Sequence, residues 1–306
     1  MNNKMLDEIK NNCAKFMSEG RVADYIPELA KANPEKFGIC VVDTNGDVNT
    51  TGDFYDGFTM QSVVKPMILL LALIDKGEEA VRDLVGVEAT GKPFDTFNYT
   101  DRALCGEHIN PMVNAGAIAL CSLIEGETYE KKFARLLDLV REMADNPFLE
   151  VDEAVYLSEK ATGNKNRALA YMLKAYGLVT DDIEPLVDCY FRACSIKVNC
   201  VDLARIALVL ANKGKHIKTD KQMFEPGYAR FVNAVLMTCG MYDGSGEFAL
   251  NVGIPAKSGV GGGIMGVVPG KMGIGIFSPS LDGKGNSIAG VKAMEMLSRQ
   301  FDLSVF

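Results

Sequence analysis

The segment SVVKPMILLLALIDKG (Ser62–Gly77) divides the chain into two textures. Read as a helix, it runs from a serine through the apolar stretch Met67–Ile74 and stops at a glycine, the residue that most readily ends a helix. Upstream, the patterning is that of strands. GICVVD (38–43) is a short apolar run suited to a buried strand. Asn45-Gly46 behind it is a hairpin turn signal, so a second strand is expected to return through residues 47–52. A third strand or turn spans Asp56–Met60. Downstream, helical periodicity takes over. Residues 112–124, 129–144, 152–160, 166–176, 184–195 and 199–214 read as helices, with breaks at Gly91-Lys92-Pro93, Asn146-Pro147 and Gly163-Asn164.

Toward the N-terminus, Met5, Leu6, Ile9, Cys13, Phe16 and Met17 stand at helical spacing. Toward the C-terminus, a helix from about residue 228 leads into EFALNVGIPAKSGV (247–260), GGIMGVVPG (262–270) and KMGIGIFSPSLD (271–282), all expected as strands. A helix from about Asn286 to Phe301 closes the chain. Strands at both ends and helices between them predict an α/β (α+β) fold. One antiparallel sheet is built from the two termini and flanked by the terminal helices, with an all-helical lobe inserted. The sheet lobe takes residues 1–61 and 226–306 and the helical lobe 62–225, together forming one functional unit. Its site is expected at the seam, where pockets form. There is no internal repeat and no low-complexity linker.

The 306 residues are 48% hydrophobic, enough for a substantial core, and carry a net charge of −8. Lysines and arginines are scattered, so the basic footprint that nucleic acid requires is missing. None of the eight cysteines forms a C-x-x-C pair, and several sit in apolar runs; reduced, buried thiols in a reducing compartment are expected. MNNKMLDEIKNNC has no apolar h-region of a signal peptide, and Met67–Ile74 and Ala115–Ile124 are too short to cross a bilayer. The expectation is a cytoplasmic protein with no membrane and no nucleic-acid partner. Only two histidines, His108 and His216, are present, and there is no G-x-S-x-G elbow. Serine chemistry here needs a base other than histidine.

Ser62-Val63-Val64-Lys65 offers one. At the start of a helix, positions i and i+3 share a face, so hydroxyl and amine meet, and the helix N-terminus favours a developing oxyanion. Most S-x-x-K occurrences are a cap and a solvated lysine. Here the apolar run behind Lys65 makes the helix a core element and predicts a partly desolvated amine. A lysine acting as base needs its pKa lowered by about three units from roughly 10.4, equivalent to about 4 kcal/mol. Burial supplies part of this, and the charge of Lys257 is expected to supply more. Lys257-Ser258-Gly259, between two expected strands, resembles the third motif of penicillin-recognising enzymes, although the middle S-D-N motif of that superfamily is missing. Gly261–Gly266 matches G-x-G-x-x-G by letter, but strand-like sequence follows instead of a helix, so a turn beside the site is the better reading. His108 has no metal-ligand spacing with any partner, and Glu125–Glu130 and Asp181–Glu184 read as solvated helix ends.

Longer strings carry a family resemblance. QSVVK (61–65), HINPMVNAGAI (108–118), SEKATGNKN (158–166), YFRACSIKVNC (190–200) and CGMYDGSGEFALNVGIPAKSGVGGG (239–263) stand in order, with YIPELAKANP (25–34) and SPSLDGKGNS (278–287) beside them. From about residue 21 to the C-terminus the chain resembles the glutaminase family of β-lactamase/DD-peptidase-like serine hydrolases. The family more often has Gln-Ser-Ile-Ser-Lys-Val at the nucleophile; Val63, Val64 and Pro66 depart from that while the reactive pair is kept.

The resemblance implies Ser62 as nucleophile, Lys65 as base and Tyr242 as an aid to proton transfer. It implies an oxyanion hole from the amides of Ser62 and Val260, with Lys257 in support. Tyr25, Gln61, Asn114, Glu159, Asn166 and Tyr190 match its substrate-binding positions. These residue types suit glutamine, whose α-ammonium calls for a carboxylate such as Glu159 and whose α-carboxylate calls for neutral donors such as Asn114, Asn166 and Tyr190. The implied reaction is acyl transfer from L-glutamine with no metal or organic cofactor, in a homodimer or homotetramer. The rivals are a penicillin-binding or esterase-type serine hydrolase and a catalytically silent amino-acid sensor on the same fold. The missing S-D-N motif and signal peptide disfavour the first. Retention of Ser62 and Lys65 disfavours the second.

Overall fold

The computed structural model describes residues 1–91, 95 and 109–306. Lys92, Pro93, Cys105 and His108 lie outside the described residues. The termini build the sheet. Strands β1 (Gly38–Asp43) and β2 (Val48–Gly52) form the expected hairpin around Asn45-Gly46. A short β3 (Phe58–Thr59) pairs instead with β4 (Lys197–Val198) as a separate two-stranded sheet. Strands β5 (Ala256–Ser258), β6 (Gly263–Val268) and β7 (Met272–Phe277) complete a five-stranded antiparallel sheet in the order β2-β1-β7-β6-β5. β1 pairs with β7 from Gly38↔Phe277 to Asp43↔Met272, so the two ends of the chain share one ladder.

The continuous apolar run of β1 follows from burial on both faces. Ile39 and Val41 join Leu6, Ile9 and Leu297 in the core under the terminal helices α1 (Asn3–Ala14) and the closing helix (Ile288–Phe301). Cys40 and Val42 face the other way, into the larger core shared with the helices between the sheet segments.

Those helices are α2 (Lys65–Leu84), α3 (Asn114–Leu123), α4 (Tyr129–Ala144), α5 (Glu153–Thr162), α6 (Asn164–Ala175), α7 (Ile183–Cys194) and α8 (Cys200–Ala211). α9 (Pro226–Cys239) and α10 (Ser245–Asn251) lead back to β5, and the closing helix is α11. α8 lies flat on the sheet. A Cβ at Gly273 would stand 2.0 Å from the Ala204 carbonyl oxygen, and one at Gly275 would stand 2.1 Å from that of Cys200. Glycine at these two β7 positions is what lets helix and strand touch.

The helix that runs on from Lys65 does end at Gly77, as expected: that residue leaves helical geometry (φ 78°, ψ 173°), and a second helical stretch follows it to Leu84. One expectation is corrected. EFALN is helical, the body of α10, not strand. Phe248, Leu250, Val252 and Ile254 alternate as a strand would, but Leu250 is 86% exposed, whereas Phe248 and Val252, four apart, are buried together. The described cysteines, Cys13, Cys40, Cys121, Cys189, Cys194, Cys200 and Cys239, are all buried free thiols, as expected. No helix among the described residues is long and apolar enough to cross a membrane.

Candidate active site

Ser62 does not sit in α2 but in a 3-10 turn, Gln61–Val64, that runs into it. The Ser62 carbonyl accepts the amide of Lys65. At three residues per turn, side chains at i and i+3 eclipse, so this geometry aligns the two more closely than an α-helix would. The turn is pressed from outside by the glycines after β5. A Cβ at Gly259 would stand 2.6 Å from the Met60 carbonyl oxygen, and one at Gly261 would stand 2.7 Å from that of Thr59. The glycine run is therefore a turn beside the site, holding the segment that carries Ser62.

Among the described non-glycine residues with positive φ, Asp145 and Asp302 close helices at their C-termini. Gln61 (φ 49°) and Tyr242 (φ 54°) have no such role, and both stand beside Ser62. Sparsely populated backbone of this kind persists where the surrounding structure enforces it, often at functional sites.

A cavity of about 370 Å³ opens on Ser62. Tyr25, Gln61, Ser62, Asn114, Glu159, Asn166 and Tyr190 all line it. α3 brings Asn114, α5 brings Glu159, α6 brings Asn166 and α7 brings Tyr190. Tyr242 and Val260 are not among its lining residues: Tyr242 lines a smaller neighbouring pocket, and Val260 lines a groove beside the 281–285 turn. The Tyr242 phenol is within hydrogen-bonding reach of the Ser62 side chain and the Val260 amide. Lys65 is fully buried behind the wall and donates to Asn114 Oδ1 (2.6 Å) and the Met112 carbonyl (3.1 Å). Asn114 Oδ1 also accepts from the Tyr190 hydroxyl (3.3 Å), while its Nδ2 donates to Asn166 Oδ1 (2.8 Å).

Burial pushes the Lys65 ammonium down to about 8, against the opposing pull of the acidic groups Cys194, Glu159 and Asp95. The same burial raises the Glu159 carboxyl to about 8, with Gln61 and Lys65 working the other way. Glu159 Oε2 has no protein partner. Burial also raises the Tyr242 phenol, so it stays protonated.

Lys257 is fully buried too, donating to the carbonyls of Gly240 (3.0 Å) and Ser258 (2.7 Å), with its Nζ 4.4 Å from the centroid of the Tyr242 ring. Its ammonium is pushed well down by burial and then by Lys65. Burial is the larger cause at both lysines, and the repulsion between the two ammonium groups is mutual, disfavouring the state in which both are charged.

Sequence reading passed over other lining residues. Asp95 and Lys165 form an ion pair (2.7 Å) at the cavity, and Ile26, Thr162, Gly163 and Cys194 complete it. Cys194 lies one helical turn beyond Tyr190 on α7, a spacing visible in the sequence; Asp95 has no local mark. Among the described residues no cluster of His, Cys, Asp and Glu is arranged to hold a metal.

A model of the glutaminase family matches residues 20–306. A glutaminase of Alkaliphilus metalliredigens is 47% identical over 304 residues, covering 99% of this chain and 100% of that protein. One from Alkaliphilus oremlandii is 47% identical over 301 residues, covering 98% and 99%. Among solved structures, the Bacillus subtilis glutaminase in covalent complex with 5-oxo-L-norleucine, formed by reaction with 6-diazo-5-oxo-L-norleucine, superposes with a TM-score of 0.91 at 34% identity, covering 99% of each chain. The architecture described above is the β-lactamase-like fold of these bacterial enzymes.

Proposed function

The chain belongs to the glutaminase family, and from that premise we propose that it hydrolyses L-glutamine to L-glutamate and ammonia through an acyl-enzyme on Ser62. One observation carries the assignment of the site. A single cavity holds a serine one turn ahead of a buried lysine, and a buried carboxylate with an unpartnered oxygen. The first suits nucleophilic attack, and the second suits an α-ammonium.

Neutral Lys65 takes the proton of Ser62, whose Oγ attacks the side-chain amide carbon. The amides of Ser62 and Val260 receive the oxyanion. Tyr242, kept protonated by burial, or Lys65 acting as acid, gives the departing nitrogen its proton. Water then hydrolyses the glutamyl ester. Glu159 takes the α-ammonium, and Asn114, Asn166 and Tyr190 take the α-carboxylate, with Tyr25 and Gln61 closing the walls. No step calls for a metal or organic cofactor. With the sheet lobe at 1–61 and 226–306 and the helical lobe at 62–225, this site lies on the seam, and α8 is the helical lobe's hold on the sheet.

We further propose a cytoplasmic location, which the buried free thiols support, and a homodimer or homotetramer, which exposed Phe148, Leu250 and Phe306 support. Light scattering of the purified chain tests the latter.

The decisive experiment is ammonia release from L-glutamine, combined with peptide mass mapping after 6-diazo-5-oxo-L-norleucine treatment. The label is expected on Ser62. Ser62→Ala should abolish turnover and labelling while leaving the fold intact. Lys65→Ala should be nearly as damaging, and the double variant no worse than either, since nucleophile and base act as a unit. A label elsewhere, or retention of more than about a few per cent of activity by Ser62→Ala, sinks the assignment.

A further inference from the structure

Asn114, Glu159, Asn166 and Tyr190 are carried to the cavity by helices, but Tyr242 is not. It stands in the link 240–244 between α9 and α10, at the head of a short 3-10 turn (Tyr242–Gly244) and in left-handed backbone (φ 54°). Such backbone is unfavourable for a tyrosine and persists only where its surroundings enforce it. Two buried polar side chains do so here. The Ser245 hydroxyl accepts from the Met241 amide (3.0 Å) and donates to the Tyr242 carbonyl (2.8 Å). Asn286 Nδ2 donates to the Met241 carbonyl (3.3 Å). Upstream, the link is fastened to β5, because the Gly240 carbonyl takes the Ser258 amide (3.1 Å) and the Lys257 side chain (3.0 Å). Tyr242 is therefore held from both sides. Ser245 and Asn286 are each only 4% exposed, and neither lines the cavity. The reaction as derived above makes no use of either.

We propose that Ser245, with Asn286 behind it, is a positioning residue for Tyr242, and that their hydrogen bonds to the link keep the phenol within reach of Ser62 and the Val260 amide. The proposal rests on the reading of Tyr242 as proton donor to the departing nitrogen. Without the Ser245 hydroxyl, the Met241 amide and the Tyr242 carbonyl lose their common partner, and the backbone is free to relax toward negative φ. That movement turns the Cα–Cβ bond and carries the phenol with it. A misplacement of about 1 Å at a reacting group costs on the order of a hundredfold in rate. The groups that hold substrate are carried by other elements and stay in place.

Steady-state kinetics with L-glutamine on the full chain test this, with circular dichroism and Tm as the check on folding. Ser245→Ala is expected to lower kcat by about tenfold or more, with KM within about threefold of the wild type. Tyr242→Phe should lower kcat by about a hundredfold or more. The double variant should then be no slower than Tyr242→Phe alone, because the hydroxyl has no phenol left to position. Asn286→Ala takes only one bond from the link. It should lower kcat by about threefold or more, a loss that also vanishes in the Tyr242→Phe background, and it carries the test if Ser245→Ala does not fold. A normal kcat in both single variants overturns the proposal, and so do losses that multiply with that of Tyr242→Phe. A change confined to KM would place Ser245 with substrate binding and overturn it as well. If Tyr242→Phe itself keeps the wild-type kcat, the reading of Tyr242 as proton donor falls, and the proposal falls with it.

Discussion

Lys65 Nζ and Asn114 Oδ1 lie 2.6 Å apart, so the amine assigned as base rests on an amide that also lines the substrate cavity. The same Oδ1 takes the Tyr190 hydroxyl, and the amide's nitrogen holds Asn166. Base and substrate wall are therefore joined through one side chain. An asparagine there is neutral, accepting from the lysine without fixing its proton electrostatically. An aspartate would do the opposite.

Asn114→Asp should thus raise the Lys65 pKa, because an adjacent carboxylate favours the ammonium. The acid limb of kcat should move to higher pH, and kcat near pH 7.5 should fall by about tenfold or more, about one pKa unit's worth. The pH profile of kcat for the two proteins checks this. A fall in rate with an unmoved inflection would mean that Asn114 does not act through the base.

The pH dependence of the wild type follows from two groups placed at about 8 by burial. Lys65 must lose its proton to act as base, and Glu159 must lose its own to meet an ammonium. Both requirements make activity rise with pH and level off above that region. In the free enzyme both count, so log kcat/KM should climb more steeply on the acid side than log kcat, where bound substrate already holds Glu159 ionised. Because each group feels the other's charge, the inflections belong to the pair. Equal slopes in the two profiles would remove Glu159 from ammonium binding.

Glu159 should also set specificity by charge. Above about pH 8, where Glu159 is ionised, a glutamine analogue without the α-amino group leaves the carboxylate buried and unpaired, a loss of about 2–5 kcal/mol. That analogue should be a very poor substrate. Glu159→Gln should raise KM, lower kcat/KM for glutamine by more than about tenfold, and erase most of the discrimination between the two compounds. Measuring kcat/KM for both substrates on both proteins decides it, and equal use of the two by the wild type would show the amino-acid pocket to be misassigned.

The same residue makes a stability prediction of opposite sign. With its folded pKa raised from 4.5 to about 8, Glu159 holds a proton that the unfolded chain releases, so its contribution is fully present below 4.5 and is lost as pH rises to 8. Glu159→Gln has no proton to lose. Its Tm should gain on the wild type as pH is raised from 5 to 8, by an amount corresponding to a few kcal/mol at about 1.4 kcal/mol per unit. A Tm difference independent of pH would show that Glu159 titrates normally.

Much of this was readable in advance, unevenly. α4 could be delimited at both ends, because Thr128 caps its first turn and Phe133, Leu136, Leu137, Val140 and Met143 keep helical spacing throughout. α10 could not, since seven residues hold too few turns to separate a period of 3.6 from one of 2. Ser62 and Lys65 are neighbours by spacing alone. Glu159, Asn166 and Tyr190 carry no local mark; resemblance singled them out, and the convergence of α5, α6 and α7 brings them to one cavity. The left-handed backbone at Gln61 and Tyr242 was invisible, because neither is a residue type that favours it.

The shared ladder of β1 and β7 has a consequence for the chain as it is made. β1 finds β2 at once, but its other edge has no partner until residues 272–277 leave the ribosome. At roughly 5–20 residues per second that delay is on the order of ten to fifty seconds. Throughout it, the apolar strand GICVVD presents an open hydrogen-bonding edge to every neighbouring nascent chain. Ribosome-stalled chains ending before Met272 should accordingly be cut by protease within the β1–β2 hairpin, and chains long enough to release Phe277 should resist. The enzyme's aggregation risk is thus concentrated in synthesis, at a strand of which the finished molecule buries every residue but Asp43.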